Sequence, residues 1–313
     1  MKNTGQSRRQ AVDGLLLLNK PAGLSSNQAL QRVKWLLNAR KAGHTGSLDP
    51  AATGMLPLCF GEATKVCPFL LNADKTYRVT AKLGVATDSG DADGSETETA
   101  PVPELTADQW ERILETFLGD SEQIPPMYSA LKQQGKRLYE LARKGVTVER
   151  AARPIRIDAI ELLEVAGTRL VFRVACSKGT YIRVLVEDLA RAAGTVAHTT
   201  RLHREIVGDF RADDMHDLKS LEAAAEKGPA ALREHLLSPD VALSGYPSVT
   251  LSADDGTRFC AGMPVLAGGP EAADLDGLVR VYGDPPKFLG LGEASAGGRI
   301  APKRVFLLGE KNP

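Results

Sequence analysis

The run TYRVTAKLGV at 76–85 places Tyr77, Val79, Ala81, Leu83 and Val85 on one side of an extended chain, with Arg78, Thr80 and Lys82 on the other. Strand side chains alternate between faces, so a slip of one residue would turn the whole apolar set into water. The segment therefore demands a sheet with one face covered, and it sets the register of that sheet. RLVFRVAC at 169–176 supplies a second strand. Covering helices are legible too. Thr106 and Gln109 form a capping box ahead of a stripe of Trp110, Ile113, Leu114 and Phe117, with Gly119 as the expected stop. After RLVFRVAC, the turn SKGT leads into YIRVLVEDLARAAG, where Ile182, Leu185, Val186 and Leu189 share a face and Gly194 ends the helix. Arg183 then lies in the first helical turn.

Earlier in the chain, GLLLLNKPAGLSS reads as a short strand broken at Pro21 and Gly23, and Ser25 or Ser26 caps a helix carrying Leu30, Val33 and Leu37. Residues 1–10 read as a disordered tail and 43–57 as a loop. A helical stretch over about 217–237 precedes LSPDVALSGYPSVTLS, a Pro- and Ser-marked boundary. Beyond it, GLVRVY and RVFLL suggest a small all-β module. Alternating strands with separate helices favour an α+β domain followed by a β-rich one.

Charge adds one local signal. Lys plus Arg (39) balances Asp plus Glu (39), which gives no long-range field for a polyanion. Residues 127–156 nevertheless hold eight basic side chains against Glu140 and Glu149. Read alone, such a run suits a solvated helical face as well as an RNA contact. Cys59, Cys67, Cys176 and Cys260 form no CxxC pair and no zinc spacing, so free thiols in a reducing cytoplasm are expected. LLLL at 15–18 is far too short to span a bilayer. SGDADG at 89–94 imitates a calcium loop, but its twelfth position is Ala100, where a bidentate Glu belongs. Neither a metal nor another cofactor is expected.

The chemistry concentrates in GHTGSLDPAATGMLP at 43–57, which has a single acid, Asp49, on a glycine-tight loop whose Pro50 holds Asp49 extended. A lone Asp-Pro also suits an ordinary turn that accepts backbone N–H groups. The longer run GHTGSLDPAATGMLPLCFGEATK resembles the catalytic motif of the TruB family, the bacterial tRNA pseudouridine-55 synthases. The resemblance continues through LLLLNKPAGLSSNQAL, KTYRVTAKLGVATDSGDADG, IPPMYSALKQQGKRLYELARKG, CSKGTYIRVLVEDLA and RLHREIVGDF.

That resemblance implies a pseudouridine-synthase domain over 11–243, with a mixed, largely antiparallel sheet flanked by helices, an RNA-clamp insertion at about 125–156, and a PUA-like β-rich module over 244–313. It implies isomerisation of the T-loop uridine of tRNA by base flipping, breakage of the N-glycosidic bond and closure of a C–C bond. Asp49 aligns with the catalytic aspartate, Tyr77 with the tyrosine that stacks on the base and has been proposed to remove its proton, and Arg183 with the partner that keeps Asp49 ionised. His44, Tyr181 and Leu202 match positions near the flipped uridine, and Lys20 matches a lysine supporting the site. Lys132, Lys136, Arg137, Arg143 and Lys144 fall in the clamp. One acid suits an isomerase that must exclude water; a hydrolase would need an acid and base pair. A non-catalytic RNA-binding protein on the same scaffold is the other reading. The partner implied is tRNA, with no protein partner, and a monomer is expected.

Overall fold

A computed structural model describes residues 9–309 apart from 134, 269–271 and 273. Chain order runs β1 (Gly14–Lys20), α1 (Ser26–Leu36), β2 (Ala42–His44), β3 (Thr53–Phe60), α2 (Cys67–Asn72) and β4 (Lys75–Leu83), then a hairpin of β5 (Val85–Thr87) and β6 (Glu96–Thr99). Next come α3 (Ala107–Glu115), β7 (Gly119–Gln123), the short β8 (Lys132–Gln133), β9 (Lys136–Arg137) and α4 (Leu138–Ala142), and the long pair β10 (Arg153–Ala166) and β11 (Arg169–Cys176). Helix α5 (Ile182–Ala192), β12 (Ala197–Val207), β13 (His216–Asp217), α6 (Leu218–Glu226) and α7 (Pro229–Arg233) complete the first unit.

Among the described residues one nine-stranded sheet runs β13-β1-β3-β12-β4-β11-β10-β7, with β2 paired to β3. The β1–β13 and β3–β12 pairs are parallel and the others antiparallel, so the sheet is mixed and largely antiparallel as expected. The alternation of 76–85 holds: Tyr77, Val79, Ala81 and Leu83 are buried with Leu170, Phe172 and Val174 of β11, and Trp110, Leu114, Leu185 and Leu189 of α3 and α5 cover them. Both expected capping residues are in place, Ser25 before α1 and Thr106 before α3, each with a reciprocated glutamine.

Strand β1 explains a run of four leucines that does not alternate. Leu16 and Leu18 pack under α1 and α6, while Leu15 and Leu17 pack against Phe288, Leu291 and Phe306 of the C-terminal unit. A strand covered on both faces has no polar side to show.

Several local expectations change. The segment 43–57 is loop only between β2 and β3, because Ala42–His44 and Thr53 onward pair with each other in the sheet. Gly119 does not stop α3, which ends at Glu115 with Thr116 as its cap; Gly119 opens β7. The helix expected over 217–237 is broken at Gly228, whose φ of +116° no helix accommodates, before Pro229 starts α7. Of the expected tail, 1–8 lies outside the described residues, and Gln10 is tied by backbone hydrogen bonds to Asn38 and Arg40.

The C-terminal unit is not all-β. A sheet ordered β14 (Ser248–Leu251), β16 (Gly277–Gly283), β17 (Lys287–Ser295), β18 (Arg299–Val305) and β15 (Val265–Leu266) packs on α8 (Ala253–Cys260), capped by Ser252. Phe259 of that helix is fully buried in the small core.

Candidate active site

Asp49 sits on the loop between β2 and β3, pinned from both sides. Ser26 at the start of α1 accepts from the Leu48 amide at 2.8 Å and donates to the Leu48 carbonyl at 3.0 Å. Behind Asp49, the Pro50 carbonyl accepts from the Gly23 amide at 2.8 Å, and the Ala52 amide closes a turn onto the Asp49 carbonyl at 3.1 Å. Lys20, wholly buried at the end of β1, donates its ammonium to the carbonyls of Pro21, Leu24 and Pro50. The loop is thus held by α1 and β1 rather than by its own sequence.

The Asp49 carboxylate meets Arg183 across the cleft, Oδ2 to Nε at 3.2 Å. Arg183 is only 7% exposed, and each end of its guanidinium is engaged: Nη1 faces Asp91 at 3.3 Å and donates to the Ser89 carbonyl at 2.6 Å, and Nη2 donates to the Tyr128 carbonyl at 2.6 Å. Asp49 keeps 45% of its side-chain surface open, although protein crowds the rest of the carboxylate. Those surroundings push its carboxyl above the ordinary 3.8; Arg183 and Lys20 pull it down, and Asp91 and Asp93 push it up. Arg183 is the foremost group that favours the ionised carboxylate, and it opposes burial without overcoming it.

Tyr77 lies 9% exposed on β4 with Leu202 beside it, partly buried on β12 opposite Val79. Burial raises the Tyr77 phenol above its ordinary 10, so the resting side chain is neutral; the Arg204 guanidinium is the largest influence in the other direction, and Asp49 adds a smaller upward push. His44, on β2, is half-buried with its Nδ1 unpartnered among the described residues, and burial and Arg204 depress its pKa. Its imidazole is neutral at pH 7. Tyr181 caps α5 and is fastened by Gln123, whose side chain accepts from the Tyr181 amide at 2.7 Å and donates to its carbonyl at 3.1 Å. Tyr77, Tyr181, Arg183 and Lys20 all lie within electrostatic reach of Asp49, Leu202 shares the core with Tyr77, and His44 is linked to Tyr77 only through Arg204, which acts on both.

The five clamp residues lie apart from it. Lys132 belongs to β8, Lys136 and Arg137 to β9, and Arg143 and Lys144 follow α4; all five are exposed. The insertion is a small hairpin and one helical turn, not a continuous helical face. Tyr139 is flanked by Arg137, 5.9 Å from its ring centre, and by Arg143 at 5.6 Å, which fixes the ring among cations.

Three participants lie in the quoted stretches without being singled out from the sequence. Asp91, in the SGDADG run, is paired with Arg183, and its loop is stitched to Thr199 of β12. Tyr128 contributes a carbonyl, which no sequence pattern announces. Arg204 is buried behind the loop, and among Arg201, His203 and Glu205 of the same strand nothing in the sequence marks it as the buried one. Among the described residues no group of three or more His, Cys, Asp or Glu is placed to hold a metal ion, and no helix is long and apolar enough to cross a membrane.

The mixed sheet, with Asp49 on a loop between two of its strands and paired to Arg183, fits the class of pseudouridine synthases, and comparison with known proteins shows that class. Residues 34–182 match the TruB family pseudouridylate synthase N-terminal domain, 183–244 the tRNA pseudouridylate synthase B C-terminal domain, and 247–306 the pseudouridine synthase II TruB C-terminal domain. A tRNA pseudouridine synthase B of Nitrosococcus oceani is 50% identical over 306 residues, 98% of either chain. That of Aromatoleum aromaticum is 51% identical over 308 residues, 97% of either chain. A chain in a crystal structure of a Cbf5–Nop10–Gar1 complex superposes with a TM-score of 0.71 at 25% identity, covering 94% of this chain and 85% of that one. The chain belongs to the TruB family of pseudouridylate synthases.

Proposed function

We propose that this protein isomerises uridine to pseudouridine in tRNA, at the T-loop uridine (position 55), with Asp49 as the catalytic carboxylate. The observation that carries the reading is the pair of a buried Arg183 with an Asp49 carboxylate left partly open, in a chain half identical, over nearly its whole length, to proteins named tRNA pseudouridine synthase B. The C1′–N1 bond breaks, the uracil turns within the pocket, C5 bonds to C1′, and the C5 proton leaves as N1 regains one. Nothing is added from water. A single carboxylate facing the ribose suffices, and Arg183, itself held by Asp91, Ser89 and Tyr128, aims it.

Tyr77 and Leu202 offer the flat apolar platform on which a flipped base rests, and Tyr77 is also the group nearest to hand for the C5 proton. Neutral His44 and half-buried Tyr181 line the entrance, and Lys20 holds the loop in place through Pro50. Lys132, Lys136, Arg137, Arg143 and Lys144 grip the phosphates of the T-arm. The catalytic unit spans 11–243, and 244–313 is a PUA-like RNA-binding unit. With seven basic residues against eight acidic ones from 245 onward, that unit carries no basic signal for a polyanion. The active species is a monomer in the cytoplasm, where cysteines that form no disulfide stay reduced; light scattering of the free enzyme checks its mass.

The test is tritium release from C5-labelled uridine in an unmodified tRNA transcript, with the product position mapped. Wild type should release label and leave pseudouridine in the T-loop, and Asp49→Asn should bind the transcript with similar affinity and release none. Tight binding with no release by wild type would favour the RNA-binding alternative, and free uracil a hydrolase.

A further inference from the structure

Arg204 is 1% exposed, and among the described residues no carboxylate lies within ion-pair distance of it. Its guanidinium is instead spent on backbone carbonyls of two separate elements: Nε donates to Met55 of β3 at 2.7 Å and Nη2 to Gly46 of the Asp49 loop at 2.9 Å. On its own strand Arg204 stands directly across from Tyr77, and its charge acts on the Tyr77 hydroxyl. The backbone is fitted to it as well. Gly46, at φ +78°, has Nη1 3.4 Å from where a Cβ would stand, and Gly54, at φ +99°, lies so close to the Arg204 backbone that a Cβ there would collide.

We propose that Arg204 is a positioning residue for the isomerisation, a clamp that fastens the Asp49 loop, β3 and Tyr77 to one another so that carboxylate and base platform keep a fixed separation. This role rests on the reading of Asp49 and Tyr77 given above. A buried cation without a counter-ion is costly unless its donors are all satisfied. A planar guanidinium with donors in a fixed fork meets two carbonyls on different elements at once, which a lysine cannot. The other buried cations nearby do not serve this join. Lys20 ties the far end of the loop at Pro50, and Lys75 donates only to carbonyls of Leu70, Leu71 and Ala73. Arg204 alone among these three bridges the entry of the loop to the sheet.

The experiment compares wild type, Arg204→Lys and Arg204→Gln by three readings: thermal midpoint, Kd for an unmodified tRNA transcript, and the single-turnover rate of pseudouridine formation at saturating enzyme. A loop displaced by about 1 Å loses on the order of 100-fold in rate. Arg204→Gln should therefore slow the bound step by about that factor with Kd unchanged, and Arg204→Lys, which keeps one carbonyl contact, should fall between. A folded variant with the wild-type single-turnover rate overturns the proposal, as does a loss confined to Kd. Failure of both variants to fold overturns it in favour of a purely structural role. Wild type is the control for the underlying reading: if it forms no pseudouridine, the proposed function fails; if it does and the variants match it, only the role of Arg204 fails.

Discussion

Lys20 and Lys75 are buried ammonium groups that burial holds near pKa 8, against 10.5 in an open chain. Between those values the unfolded chain binds more protons than the native one, so stability rises with pH through that window. At 1.36 kcal/mol per proton and pH unit, the two together should add on the order of 2 kcal/mol between pH 8 and 9. Above pH 9 the gain should flatten, because burial pushes the Cys176 thiol up to about 12 and native Cys176 then keeps a proton that the unfolded chain loses. Urea midpoints measured across pH 7.5–10 check both parts. Asp49 offers a second test at this scale. Its carboxyl should titrate above 3.8, followed by its carbon-13 shift, and higher still in Arg183→Gln, since burial raises it and Arg183 is the foremost group pulling it down. A value at or below 3.8 in wild type would mean that the ion pair outweighs burial.

Elements built on short-range patterns are legible in the sequence. Period-two alternation gives β4 and β11, and Thr106 with Gln109 gives the start of α3, because these signals reside in contiguous residues. The strand character of Ala42–His44 and Thr53–Phe60 is masked by glycine and proline, which local chemistry assigns to loops although sheet neighbours recruit them. The charge run of the insertion suits a helical face, yet its glycines and short runs yield a hairpin and a single turn. Its exposed cations make a sharp prediction. Lys136→Glu with Arg137→Glu should weaken tRNA binding and flatten the dependence of log K on log salt by roughly 0.7–0.9 for each phosphate no longer neutralised, while the single-turnover rate of bound tRNA is kept. An unchanged slope in filter binding from low to physiological salt would remove these two residues from the clamp.

The whole molecule is joined through β1 and β3. Leu15, Leu17, Met55 and Cys59 on one side and Phe288, Leu291 and Phe306 on the other make a common core, and Glu62, Lys65 and Asp240 add polar ties to Leu307, Val305 and Tyr282. Phe306→Ala should cost about 3–5 kcal/mol. Calorimetry of wild type should then show one cooperative transition, and the variant a second, lower one from the loosened C-terminal unit. Sequence alone determined the family, the α+β class, the register of the central strands and the place of Asp49, since each is written in adjacent residues or in a long continuous motif. Only the tertiary structure decided why β1 is apolar on both faces and how Asp91, Tyr128 and Arg204 join the site. Those contacts close over 55 to 158 residues of chain, a separation at which no local periodicity records who will be the neighbour.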